Sequence, residues 1–200
     1  GEKMHFAQKK LDAYYFTHPK SCYPKIFISH LLLDALSAKT QEICKAIHQA
    51  VLAQAPSPQQ LLLAGRLWPT LCYETYQQLL QESEYAAWFY VFGFCANHFT
   101  IFINALQHFD SVAAVNTFLL ESGLKLNDAG GLVKGSPADY LEQSSTKAAS
   151  VTVEFEQGAY QIPGCYYEFA KRYAMPDGRI FQGFVPTSAD KIFQSTDSKK

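Results

Sequence analysis

Two polar residues stand out in this sequence because each lies in a segment that is otherwise apolar. His98 begins a run at 97–104 that is rich in phenylalanine and isoleucine, and Glu168 lies in an aromatic run at 165–170. A buried carboxylate is strongly unfavourable unless it is paired, hydrogen-bonded or bound to a metal, and a buried histidine needs partners for its ring nitrogens. The two residues are therefore candidates either for a metal site or for satisfied polar groups in a core.

The third residue of interest is a cation near Glu168. Strand alternation places Tyr166, Glu168 and Arg172 on one face of the segment. The chain has few arginines, so one that shares a face with a buried carboxylate deserves an explanation. Arg172 is either the ion-pair partner of Glu168 or a group that binds an anionic ligand, and the residues alone leave both interpretations open.

The elements that must position these residues are predicted from alternation, caps and breaks in the second half of the chain. Near residue 97 the hydrophobic period changes from about 3.6 to 2, which indicates a strand with His98, Thr100 and Phe102 on one face. The order that follows is typical of an α+β domain with a curved sheet. The expected elements are a strand at 97–104, a helix capped by Asp110 and ended by Gly123, and a strand at 124–126. A helix is expected at 137–143, because Ser136-Pro137 has the form of an N-cap followed by proline, with a loop or helix end at 144–146. Strands are expected at 151–155, one or two at 160–173 with a break at 163–164, and the last at 178–185.

The first half of the chain divides into strands and then helices. Residues 4–31 are rich in aromatic and β-branched residues, which favours a hairpin. Ser37 can cap a helix that carries Ile43, Ile47 and Val51, and a loop is expected at 55–58. A second helical region is predicted at 70–92, with Gly93 at its end.

Composition excludes several classes of function. The 200 residues are 48% hydrophobic and 18% charged with a net charge of −1, so charge predicts neither nucleic acid nor an anionic membrane as partner. No apolar run is long enough to span a bilayer, and five scattered cysteines form no C-x-x-C pair. A cytoplasmic protein with reduced thiols is expected. Dinucleotide, P-loop, H-E-x-x-H and G-x-S-x-G motifs are absent from the sequence.

Several longer motifs resemble a bacterial family that was long uncharacterised and is associated with 2-oxoadipate dioxygenase/decarboxylase. The resemblance covers nearly the whole chain. The motifs that carry it are at 6–11, 97–100, 126–131, 141–146, 165–173 and 188–193.

This resemblance implies an α+β, vicinal oxygen chelate-like fold, in which paired βαβββ modules with a curved mixed sheet surround one metal. It divides the chain into a partial first module at 1–35, a helical insertion at 36–93, a second module at 94–194 and a frayed tail at 195–200. The first module is expected to be incomplete. The sequence also begins without a start-like segment, and we expect the first strand of the family to be absent from it.

The resemblance also implies the site. The family holds Fe(II) with two histidines and a glutamate, and its motifs identify His98 and Glu168 as two of these metal ligands and as catalytic residues. Zn, Mn or Ni could replace iron in the purified protein. The remaining histidine belongs to an H-x-A-x-R-T-F-like motif that the 200 residues lack, and His30 is the alternative ligand. Arg172 is the candidate for binding the substrate carboxylate, with Gln143 and Tyr166 as polar neighbours.

The implied reaction is an Fe(II)-dependent oxidative decarboxylation of a 2-oxo acid, of the type that converts 2-oxoadipate to 2-hydroxyglutarate. Its partners are a small 2-oxo dicarboxylic acid and dioxygen. Two alternatives stay open: a metal-dependent hydrolase or isomerase of the same superfamily, since one fold hosts many reactions, and a non-catalytic fragment that binds a small acid. A homodimer through an exposed sheet edge is also predicted.

Overall fold

The computed structural model describes residues 2–5, as backbone alone, together with 10–20, 23–54 and 56–188. The chain forms two compact units. We call the first the helical unit; its described residues are 2–3, 10–20, 23–54, 56–96 and 150–163. We call the second the sheet unit; its described residues are 4–5, 97–149 and 164–188.

The secondary structure mixes strands and helices throughout the described ranges. The α-helices are α1 Ala38–Gln54, α2 Pro58–Leu61, α3 Tyr73–Glu82, α4 Glu84–Phe92 and α5 Val112–Glu121, and short 3-10 helices lie at Leu33–Ala35, Ile103–Ala105 and Pro137–Asp139. The strands are β1 Glu2–His5, β2 Leu11–Phe16, β3 Ile26–Leu31, β4 His98–Phe102, β5 Lys134–Ser136, β6 Leu141–Ser145, β7 Ser150–Phe155, β8 Gly158–Pro163 and β9 Tyr166–Arg172.

The predicted hairpin and first helix of the helical unit are confirmed. Strands β2 and β3 pair antiparallel in a sheet of order β1-β2-β3. Helix α1 begins after Ser37, whose hydroxyl accepts a hydrogen bond from the Thr40 amide. The predicted loop at 55–58 ends earlier than expected, because Ser57 and Gln60 form a capping box that begins α2.

The predicted helical region at 70–92 is two helices rather than one. Ser83 separates them, because its backbone is extended at φ −153° and ψ 114°. Its hydroxyl accepts a hydrogen bond from the Ala86 amide and so caps α4. Gly93 ends α4 as expected, with φ 66°, and the backbone of Gly65 and Arg66 leaves no room for a Cβ atom there.

The core of the helical unit is largely aromatic and includes the β7–β8 hairpin. Phe155 and Ile162 from that hairpin pack with residues of α3, α4 and the segment before them, among them Trp68, Tyr76 and Tyr90. The hairpin therefore clusters with the helices, although the predicted second module, 94–194, contains it in sequence. The division of the chain into a first module at 1–35, an insertion at 36–93 and a second module at 94–194 stays a prediction.

The sheet unit contains a mixed four-stranded sheet of order β4-β9-β6-β5. Strands β4 and β9 are parallel, whereas β9 and β6, and β6 and β5, are antiparallel. One face of the sheet contributes Phe169 and Ile101 to an apolar core with Val112, Val115 and Leu119 of α5. The opposite face is therefore the one available for polar side chains.

Three local predictions in the sheet unit were wrong in detail. Helix α5 is capped by Ser111 and not by Asp110, because the Ser111 hydroxyl accepts from the Ala114 amide. The predicted strand at 124–126 is reduced to an isolated bridge between Leu126 and Thr146. The predicted last strand at 178–185 is likewise one bridge, between Ala174 and Ile180.

The predicted helix at 137–143 is the largest difference. Ser136 does cap a helical turn, but that turn ends at Asp139 because Tyr140 adopts a left-handed conformation with φ 58°. The chain then enters β6, so residues 141–145 are a strand. Residues 144 and 145, which were predicted as a loop or helix end, lie fully buried in that strand.

None of the helices within the described ranges combines the length and hydropathy that crossing a bilayer requires. The predicted frayed tail at 195–200 lies outside the described residues.

Candidate active site

The polar face of the sheet unit gathers the candidate residues. Directly opposite residues of paired strands project to the same face, and the register pairs His98 with Tyr166 and Thr100 with Glu168 across β4 and β9. Across β9 and β6, Ser145 lies opposite Glu168, and Gln143 lies opposite Ala170. The alternation that was predicted for β4 and β9 is thus confirmed, and β6 adds a third strand to the site.

His98 and Glu168 point at each other. His98 Nε2 lies 3.4 Å from Glu168 Oε2, and the exposed fractions of the two side chains are 19% and 5%. The parallel register brings them together because Glu168 is two residues further along β9 than Tyr166, the residue opposite His98. A nitrogen and an oxygen donor therefore converge at one point, although nearly seventy positions of sequence separate them.

Glu168 is itself buried and is held by hydrogen bonds. Gln143 Nε2 donates to Glu168 Oε1, and the Thr100 side chain also hydrogen-bonds to the carboxylate. Burial raises the pKa of Glu168 to about 7, while the bonds to Gln143 and Thr100 and the charge of Arg172 oppose that rise. Keeping such a carboxylate buried without a bound cation costs folding free energy. Carboxylates whose pKa is raised in this way are typical of functional sites.

His98 is suited to donate a lone pair. Burial lowers the pKa of His98 to about 4, so its imidazole is neutral near pH 7. His98 Nδ1 lies 3.1 Å from Asn97 Oδ1. Since an amide oxygen only accepts, this contact places the ring proton on Nδ1 and leaves the Nε2 lone pair directed towards Glu168.

Tyr166 brings a buried hydroxyl to the same face. Its ring stacks on the His98 imidazole, with 4.7 Å between ring centroids and 14° between ring planes. Its hydroxyl finds no hydrogen-bond partner within the described part of the chain. Burial, followed by the nearby charge of Glu168, raises the pKa of Tyr166 well above its usual value, so the phenol keeps its proton as a donor.

Arg172 is also buried, and it fastens the segment that follows β9. Its Nη1 donates to the carbonyls of Phe181 at 3.1 Å and Gly183 at 2.6 Å, and its guanidinium carbon lies 5.1 Å from the centroid of the Phe184 ring. Its backbone pairs with the Asn104 amide at 2.8 and 2.9 Å. Arg172 is close enough to Glu168 to favour the charged carboxylate, so it shares the electrostatics of the site.

Sequence reasoning missed three parts of this site. Thr100 could have been found, since it is two residues from His98 on the same strand face. Asn97 gave no signal beyond its position next to His98. Lys134 lies directly opposite Gln143, is 2% exposed and donates from Nζ to the Asn127 carbonyl at 2.5 Å, but nothing in its sequence setting marks it as buried.

The arrangement fits part of a metal site. A neutral imidazole nitrogen and a carboxylate oxygen are two donors of the two-histidine, one-carboxylate set that holds non-heme iron. No group of three or more metal-binding side chains occurs among the residues that the structure describes. His30, the alternative ligand, belongs to β3 of the helical unit, where its ring stacks on Tyr14 at 5.8 Å between centroids.

Comparison with known proteins identifies the family of this chain. A family model described as 2-oxoadipate dioxygenase/decarboxylase matches residues 4–181. The chain belongs to this family. A member from Arabidopsis thaliana, the chloroplastic 2-oxoadipate dioxygenase/decarboxylase, is 35% identical over 98% of this chain and 59% of its own length. The chain therefore spans about three fifths of that relative.

Two solved structures match most of the chain. A hydroxyglutarate synthase from Oryza sativa, in complex with 2-oxoadipate, matches 99% of this chain and 71% of its own with a TM-score of 0.91 at 34% identity. A crystal structure from Shewanella frigidimarina NCIMB 400 matches 93% of this chain and 73% of its own, with a TM-score of 0.85 at 44% identity.

The fold is shared more widely than the family. A glyoxalase superfamily structure from Ralstonia eutropha JMP134 matches 92% of this chain and 63% of its own with a TM-score of 0.71, but at only 20% identity. Similarity at that level concerns the fold alone. The chain thus has the predicted α+β, vicinal oxygen chelate-like fold, and membership of a dioxygenase family indicates a metal cofactor.

Proposed function

We propose that this chain contributes His98 and Glu168 to the iron site of a 2-oxo acid dioxygenase/decarboxylase. The observation that carries the proposal is the convergence of His98 Nε2 and Glu168 Oε2 at 3.4 Å on a buried face. The 2-oxoadipate bound in the related Oryza sativa structure favours a small 2-oxo dicarboxylic acid as substrate. The net reaction is 2-oxoadipate plus dioxygen giving 2-hydroxyglutarate plus carbon dioxide, which balances in carbon, hydrogen and oxygen.

Each of these site residues has a role that follows from its surroundings. When bound, Fe(II) supplies coordination of the acid and activation of dioxygen. The neutral His98 ring offers its Nε2 lone pair because Asn97 holds its other nitrogen. Glu168 offers carboxylate charge, and its own burial keeps bulk water away from that carboxylate.

The acid would be oriented by the remaining polar groups of the same face. The Tyr166 hydroxyl donates to an oxygen of the acid, since no protein acceptor within the described residues uses it. Arg172 provides positive charge for the distal carboxylate, and a guanidinium is the side chain best matched to that group. Lys134, opposite Gln143, completes the polar boundary on β5.

The experiment that tests this proposal measures metal content and oxygen consumption together. The full-length protein, given Fe(II) and 2-oxoadipate, should consume oxygen and release carbon dioxide and 2-hydroxyglutarate in equal amounts. His98→Ala and Glu168→Ala should each lose bound metal and reduce turnover at least about 1,000-fold, as expected for groups that act only through the metal. The exposed His48→Ala and Glu154→Ala are matched controls that should retain both properties.

The alternatives are outcomes of the same experiment. Turnover without oxygen, or with Zn(II) or Mn(II) in place of iron, would favour a hydrolase or isomerase. Binding of 2-oxoadipate with no turnover would favour a non-catalytic acid-binding protein. Tight metal binding by both alanine variants at the site would overturn the assignment of His98 and Glu168. Fe(II) as the metal, a homodimer and a cytoplasmic location stay predictions of the proposal.

A further inference from the structure

Gln143 was predicted to lie next to the substrate, but its side chain hydrogen-bonds to Glu168. Its Nε2 donates to Glu168 Oε1 in a buried environment where Gln143 itself is 3% exposed. An ionised carboxylate accepts hydrogen bonds and donates none, so the amide must present its NH2 group to it. The Gln143 amide is thereby committed to Glu168.

The register explains how Gln143 reaches a residue that is not directly opposite. Its direct neighbour on β9 is Ala170, and Glu168 is the diagonal neighbour, opposite Ser145. The Ala170 methyl group and the Ser145 hydroxymethyl group are both small. They leave space on the face for the longer Gln143 and Glu168 side chains to meet above them.

The two oxygens of Glu168 are therefore unequal. Oε1 accepts from Gln143, whereas Oε2 is directed towards His98 Nε2 at 3.4 Å. When a neutral donor holds one oxygen of a carboxylate, only the other oxygen stays available to bind a cation. An amide keeps its donor at any pH, so this orientation does not depend on protonation of Gln143.

We propose that Gln143 is a positioning residue, which fixes Glu168 so that it binds the metal through Oε2 alone. This inference rests on the proposed function, because it concerns the same metal site. Outer hydrogen-bond partners of metal ligands typically change metal affinity 10- to 100-fold, which sets the size of the expected effect. Gln143 then acts through Glu168 and not through contact with the acid.

The test compares Gln143→Met with Gln161→Met. Methionine is nearly isosteric with glutamine but has no amide donor. Gln161 is a matched control because it is a strand glutamine of the β7–β8 hairpin that also bonds across strands, donating to Thr152 Oγ1 at 2.7 Å. Affinities for Fe(II) and Co(II) are measured by competition with a chelator, the affinity for 2-oxoadipate is measured on protein saturated with metal, and unfolding is measured without metal.

The expected result is that Gln143→Met weakens metal binding about 10- to 100-fold, whereas Gln161→Met leaves it unchanged. The 2-oxoadipate affinity of the metal-saturated Gln143→Met protein should stay within about twofold. Its midpoint of unfolding without metal should fall, because buried Glu168 loses a hydrogen-bond donor, so a lower midpoint counts against the inference only when metal affinity is unchanged. The visible absorption of bound Co(II) should also change in Gln143→Met, because a released carboxylate can offer both oxygens to the ion.

Three results would overturn the inference. Unchanged metal affinity with weaker 2-oxoadipate binding would make Gln143 a substrate contact, as the sequence predicted. Unchanged metal affinity with a lower unfolding midpoint would make it a packing residue. Absence of metal binding by the unsubstituted chain would overturn the inference and the proposed function together, which distinguishes that failure from the other two.

Discussion

The two units of this protein bury polar groups to very different extents. Among the described residues, the buried polar or charged side chains of the helical unit are Asp12 and Thr40. All the others belong to the sheet unit, and they include the charged residues Lys134, Glu168 and Arg172. The helical unit instead has an aromatic and aliphatic core. The first unit is built for stability, and the second keeps costly groups for which a ligand is the simplest explanation.

Buried polar atoms without a hydrogen-bond partner also differ between the two units. Within the described residues, the buried side-chain oxygens that have no hydrogen-bond partner are those of Asn116, Ser144 and Tyr166, and all three residues lie in the sheet unit. Buried polar groups without partners are rare in proteins, because each loses its hydration without compensation. Removal of a buried hydroxyl should therefore have opposite consequences in the two units. Four predictions test this difference and the packing of each unit.

The largest expected effect is a loss of stability from the helical core. Leu79 lies on α3 and is 1% exposed, with Trp68, Tyr76 and Tyr90 in the same cluster. Leu79→Ala should lower the free energy of unfolding by about 2–5 kcal/mol, because it removes buried methyl groups and leaves a cavity. Urea unfolding monitored by circular dichroism measures this loss.

The same variant should leave the metal site intact. At low temperature and without denaturant, Leu79→Ala should bind Co(II) with the affinity of the unsubstituted chain, since Leu79 has no part in the polar face. A proportionate loss of metal affinity in folded protein would contradict the separation between a stabilising unit and a functional one.

The second prediction concerns Gly135, next to Lys134 on β5. Its φ is +78°, and an added Cβ would overlap the Leu141 carbonyl on β6. Gly135→Ala should destabilise the protein by about 2 kcal/mol or more, through both the left-handed conformation and the overlap. Gly123→Ala is the matched control, because Gly123 has φ +81° but nothing within 4 Å of a Cβ, so the difference between the variants isolates the overlap. Similar losses for both would show that β5 and β6 can separate freely.

The strand β6 also shows what the sequence could and could not predict. Long elements with clear periodicity, such as α1, β4, β7 and the strand that carries Glu168, were correctly predicted because their pattern matches their burial. Residues 141–145 were predicted wrongly because Ser136-Pro137 is a strong helix signal, and the left-handed Tyr140 that ends the turn has no signature in its residue type.

The site shows the same limit. His98 and Glu168 were conspicuous because polar residues are unusual in apolar strands. The bond from Gln143 to Glu168 depends on the register of two antiparallel strands, one of which was not predicted. Lys134 was missed for a related reason: a lysine next to glycine suggests a surface turn, and only the pairing of β5 with β6 explains why its side chain is buried.

The third prediction compares two tyrosine hydroxyls, one in each unit. Tyr166→Phe should raise the free energy of unfolding of the metal-free protein by about 1–3 kcal/mol, because it removes a buried hydroxyl that has no partner. Tyr85→Phe should lower it by about 1 kcal/mol, because the Tyr85 hydroxyl donates to the Ser29 carbonyl at 2.6 Å within the helical unit.

The affinity for 2-oxoadipate should fall in the variant that gains stability. Tyr166→Phe should weaken 2-oxoadipate binding about tenfold, the value of roughly one hydrogen bond, whereas Tyr85→Phe should not affect it. Calorimetric titration of metal-loaded protein measures both affinities. A Tyr166→Phe variant that is less stable and binds 2-oxoadipate normally would assign the hydroxyl a structural role instead.

The smallest expected effect concerns Glu82, a carboxylate of the helical unit that joins two helices. Glu82, at the end of α3, accepts from Thr40 Oγ1 at 2.5 Å, from Ser37 Oγ at 2.7 Å and from the Ser37 amide at 2.7 Å. These bonds, that of the Thr40 side chain first, lower the pKa of Glu82 below its usual value, so the folded state favours the ionised form. The stabilisation is therefore complete above the ordinary value of 4.5 and is lost as the pH falls through the lower value of the folded state.

Glu82→Gln should lower the free energy of unfolding by about 1 kcal/mol at pH 7, a value typical of lost helix caps, and the difference should shrink as the pH is lowered below that range. Thr40→Val, which removes the donor but keeps the shape, should reduce the pH dependence in the same way. In a double-mutant cycle the two substitutions should not be additive, because they remove the same interaction. Additive losses, or a difference that grows at acid pH, would show that Glu82 does not fasten α3 to the start of α1. The contrast with Glu168 would then weaken, since in the sheet unit burial raises the pKa of the carboxylate to about 7, whereas here hydrogen bonds lower it.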